Sequence, residues 1–158
     1  ANREAPLLLS SKKYVPSAIL KQLKRLNPST VYLAGGPLAI SKTAENQIRK
    51  AVPNARIARY GGATRYDTSA VIAKAFWPNG SQRQFIANGK NFPDGLSGAV
   101  AAGYNGAPML LAKKTCLPKS IGSALTSMEG WTNVLIGGPL ALDSTVAYRN
   151  DGKLNTCS

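Results

Sequence analysis

The chain has 158 residues, enough for one domain or two small packed halves with a real core, and its 44% apolar content excludes wholesale disorder. No run reaches the roughly 18 to 20 apolar residues of a membrane-spanning helix, and the opening ANREAPLLLS has no long hydrophobic segment behind a basic end, so an exported form would already have lost its leader. Twenty Lys and Arg against seven Asp and Glu give a net charge of +13, which draws polyanions in a salt-dependent way without choosing among nucleic acid, acidic lipid and phosphate-rich wall polymer.

The predicted elements alternate along the chain. Residues 6–10 form a short apolar run bounded by turn signals, read as a buried strand. Residues 16–26 read as a helix with Ile19, Leu20, Leu23 and Leu26 on one face and Lys21, Lys24 and Arg25 on another. A strand over 30–34 runs into Gly35-Gly36-Pro37. Ser41 then caps a helix that continues to about Val52, where Pro53 ends it. A strand follows over 56–59. Asp67 or Thr68 opens a helix carrying Val71, Ile72, Ala75 and Phe76. Residues 85–87 are a strand, 94–102 a helix rich in small residues, 108–112 a strand, 118–128 a helix, and 133–136 a strand entering a second Gly-Gly-Pro. Such alternation with short connections predicts an α/β fold: a Rossmann-like parallel sheet covered by helices.

The chain also resembles itself. APLLLS at 5–10 matches APMLLA at 107–112, Pro16 matches Pro118, and LAGGPLAI at 33–40 matches LIGGPLAL at 135–142, all at one offset of 102 residues. Agreement at three separated places in one register points to duplication, an internal repeat of about 100 residues. Residues 1–56 are then the second half of one copy, 57–142 a nearly complete second copy, and 143–158 a C-terminal tail.

The chemistry available is narrow. With no histidine, the commonest general base and the usual Ser-His or Cys-His pair are missing. Two cysteines cannot supply the four ligands of a structural zinc. In an exported protein Cys116 and Cys157 would most simply form one disulfide, tethering the tail LNTCS to the loop around Cys116; the alternative is two unrelated thiols. Glycoside hydrolysis asks for two opposed carboxylates, and the best-placed acids here, Asp67 and Asp94, read as helix caps. The expectation is a chain that is not an enzyme.

Candidate binding residues cluster where strands end, the ligand-binding edge of open α/β sheets. Lys12 and Lys13 follow the first strand, and Lys113 and Lys114 stand at the same place in the second copy, offset by 101 to 102 residues. A repeated Lys-Lys pair at that edge is the leading polyanion candidate. Its alternative is a pair of solvated loop lysines. Arg56, Arg59, Arg65, Lys90 and Asn88 are weaker candidates for the same surface, and Arg65 could instead pair with an internal carboxylate. The Gly-Gly-Pro turns lack the glycine spacing and lysine of phosphate loops and read as structural. Tyr66 and Tyr104 could stack on sugar rings, with core packing the preferred reading.

Residues 59–69 read RYGGATRYDTS, residues 87–98 ANGKNFPDGLSG and residues 107–111 APMLL, followed by Gly137-Gly138. In that order they resemble the cell-wall-binding repeat 2 family of Gram-positive surface proteins. Its repeats read R-x-x-G-x-x-R-Y-x-T-[SA], A-x-G-x-x-[FY]-x-D-[AG]-L-S-G, A-P-[IL]-L-L and a strand ending in G-G. The pattern covers residues 57–142, and its second half recurs at 5–41. The resemblance implies a Rossmann-like fold, repeats that occur in threes, and non-covalent attachment of surface-layer proteins, adhesins or wall hydrolases to anionic wall polymers, with no nucleotide or metal required. The expected partner is therefore a teichoic-type polymer or secondary wall polysaccharide, and the expected location the cell wall or extracellular space. A wall-associated enzyme and self-association are further expected partners. Nucleic acid ranks last, since no DNA- or RNA-reading motif is present.

Overall fold

A computed structural model describes residues 5–128, 132–148 and 150–157. The chain divides into two compact units between Thr64 and Arg65. The extreme ends of the expected first and last segments, residues 1–4 and 158, lie outside the described residues.

The first unit runs α1 (Ser17–Leu26), β1 (Thr30–Ala34), α2 (Lys42–Ala51) and β2 (Arg56–Tyr60). The two strands pair in parallel, Thr30 opposite Arg56 and Ala34 opposite Tyr60. Alternation along β1 turns Val31 and Leu33 toward α1 and α2, where they join Val15, Leu23, Ala44, Ile48 and Val52 in one core. The local signals explain the element ends. Asn27 closes α1 in the left-handed conformation, with φ of 40°. The Ser41 hydroxyl accepts the Ala44 N–H at 3.2 Å and so caps α2.

The expected strand over residues 6–10 is not there. The segment forms no strand, Leu7 and Leu9 are 87% and 76% exposed, and only Leu8 packs on the core. A strand needs a neighbour to satisfy its backbone. The matching segment, β4, has β3 beside it, whereas residues 6–10 pair with no strand among the described residues.

The second unit runs α3 (Arg65–Phe76), β3 (Arg83–Asn88), α4 (Phe92–Tyr104), β4 (Met109–Ala112), α5 (Lys119–Ser127) and β5 (Thr132–Ile136). All three strands are parallel, in the order β4-β3-β5. Central β3 is covered on both faces, which is why its sequence is a buried run and not an alternation. Ile86, Leu110 and Ala112 face α3 and α5 with Leu117, Ile121 and Leu125, while Phe85, Met109, Val134 and Ile136 pack with Ala102 of α4. Gly98 lets α4 lie close to the sheet, since a Cβ there would sit 2.8 Å from the Met109 methyl carbon. The α/β architecture of short parallel strands flanked by helices is as expected.

Three details depart from the sequence reading. Helix α3 starts at Arg65 and buries Ser69, Ala70 and Ala73, whereas Val71 is exposed. Small residues let α3 approach α5 closely, and this outweighs the larger side chains. Tyr66 is core, packed over Gly89, but Tyr104 is 93% exposed at the end of α4. The cap of α4 falls at Asn91, without a side-chain bond; Asp94 sits inside the first turn, beside Gly137.

The two Gly-Gly-Pro turns, aligned by the 102-residue offset, follow the same local course. Gly36 O accepts the N–H groups of Ala39 and Ile40, and Gly138 O those of Ala141 and Leu142. Gly35 and Gly137, with φ of 144° and 122°, hold a conformation that disfavours side chains.

Candidate functional site

The lysine loops are anchored through their backbones. Ser41 N–H donates to Lys12 O at 2.8 Å, and Asp143 N–H donates to Lys114 O at 2.9 Å. The side chains of Lys12, Lys13, Lys113 and Lys114 are exposed. In the second unit Lys90 joins its pair. β3 and β4 are parallel with Asn88 opposite Ala112, and Gly89 N–H donates to Ala112 O at 2.8 Å. Lys90 and the Lys113-Lys114 loop therefore leave the sheet at the same end, the C-terminal edge. Arg65 reaches that edge too, donating from Nη1 to Gly89 O at 2.7 Å. It takes a backbone carbonyl there.

None of these five lysines is in an ion pair among the described residues. One counter-charge stands near. The Asp143 carboxylate accepts the N–H and hydroxyl of Thr145, and these bonds, helped by the charge of Lys114, hold its pKa below the ordinary value. It stays ionised and partly offsets Lys114.

The remaining candidates lie elsewhere. Asn88 is only 5% exposed, and its amide is committed at both ends, donating to Ala141 O and accepting the Lys90 N–H at 2.8 Å. It ties the end of β3 to the turn after β5. Arg56 opens β2 at the N-terminal end of the sheet, opposite the lysine edge, so it does not belong to the same surface. Arg59 points inward. Its Nη1 donates to Gly35 O at 2.7 Å and its Nη2 to Glu45 Oε2 at 2.9 Å.

Glu45 is the residue sequence reasoning missed. It is 6% exposed and receives Arg49, Arg59 and Lys42 together. Hydrogen bonds from Arg49, then Arg59, then Lys42 hold its carboxyl at a pKa of about 2, against burial, which pushes the other way. A single acid in an otherwise basic helix was the available signal. Cys116 and Cys157 do form a disulfide, across a separation of 41 residues.

A family model described as cell wall binding domain 2 matches residues 59–147, more than half of the chain. The chain belongs to this family. The description of that family is of a binding domain, one that binds cell wall. Among curated proteins, the chain is 29% identical over 144 residues to the N-acetylmuramoyl-L-alanine amidase LytC of Bacillus subtilis (strain 168), covering 91% of this chain and 28% of the amidase. It is 30% identical over 114 residues to the amidase enhancer of the same organism, covering 72% of this chain and 16% of the enhancer. Among solved structures, Cwp6 from Clostridium difficile matches 90% of this chain with a TM-score of 0.81 and 34% identity, and Cwp8 from the same organism matches 89% with a TM-score of 0.72 and 26% identity. The chain spans 22% and 24% of those two structures. No helix among the described residues is long and apolar enough to cross a membrane.

Proposed function

We propose that this cell wall binding domain holds a secreted protein on an anionic wall polymer, of the teichoic type or a secondary wall polysaccharide, through the lysines at its sheet edges. Lys12 and Lys13 serve in the first unit, and Lys90, Lys113 and Lys114, flanked by Arg65, in the second. The convergence of three exposed lysines from adjacent parallel strands supports this most. Flexible chains bearing regular acid groups are held by such contacts, each weak and charge-assisted, with the total set by their number. The internal match at 102 residues, which sets Lys12 against Lys114, supports reading the two lysine loops as copies of one device. Arg59 and Asn88 hold the fold behind these edges.

Co-sedimentation with purified Gram-positive walls tests the reading. Retention should fall with added sodium chloride and disappear when the anionic polymers are acid-extracted. Undiminished retention on stripped walls would end the proposal. Negligible DNA binding at physiological salt should accompany it.

The similarity to an amidase and to an amidase enhancer favours a second reading, a module that works on a wall-associated enzyme. Retention only when such an enzyme is added would select it. Self-association draws its support from α4, where Phe92, Leu96, Val100 and Tyr104 form an exposed apolar stripe at four-residue spacing. Sedimentation velocity of Leu96→Asp against the parent reads that directly, and an unchanged monomeric parent speaks against it.

A further inference from the structure

The loop carrying Lys113 and Lys114 is held by more than its sheet. Residues 154–157 run along its downstream side as a strap. Leu117 N–H donates to Asn155 O at 2.8 Å, Cys157 N–H donates to Leu117 O at 2.8 Å, and Leu117 and Thr156 form a parallel bridge. The Asn155 side-chain amide donates to Thr115 O at 2.8 Å and to Thr145 O at 3.0 Å, so one group ties the lysine loop to the turn after β5. The Cys116–Cys157 bond closes the strap covalently. Helix α5 is notched to receive it: a Cβ on Gly122 would lie 2.6 Å from Thr156 Cγ2.

The first unit does the same job differently. At the 102-residue offset, Leu117 corresponds to Val15, whose N–H donates to Gln47 Oε1 of α2 at 2.8 Å. Cys116 corresponds to Tyr14. Asp143 matches Ser41, the cap of α2, and the described residues among 144–153, which match α2 itself, form turns, bends and a bridge, not a helix. Where the first lysine loop leans on a helix, the second leans on the strap.

We infer that residues 154–157 replace α2 in the second unit and preset the Lys113-Lys114 loop at the sheet edge, with Asn155 as the positioning residue and the disulfide as its lock. The inference rests on the polymer-binding reading above and adds that the affinity of this edge depends on residues that touch no polymer. A loop already held in place loses less conformational freedom on binding, so loosening it weakens attachment without removing any charge.

The test uses the full chain and purified walls retaining their anionic polymer, at one fixed low salt concentration. Asn155→Ala and the double variant Cys116→Ser/Cys157→Ser are each measured alone and in a Lys113→Ala/Lys114→Ala background. Circular dichroism verifies the fold, and if the cysteine variant does not fold, Asn155→Ala decides. Each strap variant should weaken binding about fivefold in the parent and leave it unchanged in the lysine-free background. Folded strap variants that bind like the parent, or that weaken binding equally in both backgrounds, overturn the inference. If Lys113→Ala/Lys114→Ala itself binds like the parent while strap variants still weaken binding, the polymer reading of this edge fails, and with it the claim that the strap acts through these lysines.

Discussion

Arg59 and Glu45 meet inside the first unit, Nη2 to Oε2 at 2.9 Å, while the other arm of the same guanidinium holds Gly35 O. One side chain thus joins β2 to the turn after β1 and to α2. The planar fork of arginine suits two acceptors at once, which lysine could not match.

Removing this junction should be costly. Glu45→Gln leaves Arg59, Arg49 and Lys42 without their shared countercharge and should lower stability by roughly 2 kcal/mol at pH 7. Because the folded pKa of Glu45, about 2, lies below its ordinary 4.5, the stabilisation is fully present above 4.5 and lost as pH falls toward 2. Thermal melts between pH 7 and pH 2, followed by circular dichroism, should show the parent losing more stability over that window than the variant. Parallel curves would contradict the assignment.

Charge at the edges should govern wall attachment. Lys113→Ala/Lys114→Ala and Lys12→Ala/Lys13→Ala should each weaken binding, by about 1 kcal/mol per lysine at low salt, with melting temperatures near the parent's. Arg56→Ala, at the opposite end of its sheet, should bind as the parent does. Co-sedimentation across a salt series separates these outcomes.

The disulfide should also contribute to global stability. For a closed loop spanning a 41-residue separation, the chain-entropy account gives about 4 kcal/mol. Trp77 packs against the core of the second unit, so its fluorescence reports on that unit. Urea titration of Cys116→Ser/Cys157→Ser followed this way should show a markedly lower midpoint. An unshifted midpoint would mean that the strap's hydrogen bonds suffice.

The glycine turns make a sharper test of backbone. Gly137→Ala places a Cβ 2.8 Å from Asp94 Oδ2 and 3.2 Å from Ala141 Cβ, at a φ of 122°. It should cost on the order of 1 to 3 kcal/mol. Gly103→Ala, in the last turn of α4 with nothing within 4 Å of an added Cβ, should be neutral or mildly stabilising. Melting temperatures of the pair check the contrast.

Much of the fold was legible because periodicity and caps are local. Ser41 and Pro53 bracket α2, and the apolar runs of β1, β3, β4 and β5 mark strands without further help. What escaped depends on neighbours. Residues 6–10 carry the same signature as β4, yet a strand exists only where another lies beside it. The buried face of α3 is Ser69, Ala70 and Ala73, which no hydrophobic pattern selects over Val71. In the candidate site, Lys90, Lys113 and Lys114 could be placed from strand ends alone. The inward turn of Arg59 could not, because it is decided by one carboxylate fourteen residues earlier in the chain.

The two lysine loops are fastened by main-chain carbonyls, Lys12 to Ser41 and Lys114 to Asp143. Any amino acid supplies the same carbonyl, so what projects from these positions is free to change while the scaffold beneath stays put. Under the proposed polymer reading, swapping lysine there for arginine, asparagine or an aromatic would retune which wall the module grips without asking the protein to refold. The edge would then be an exchangeable grip on a permanent handle.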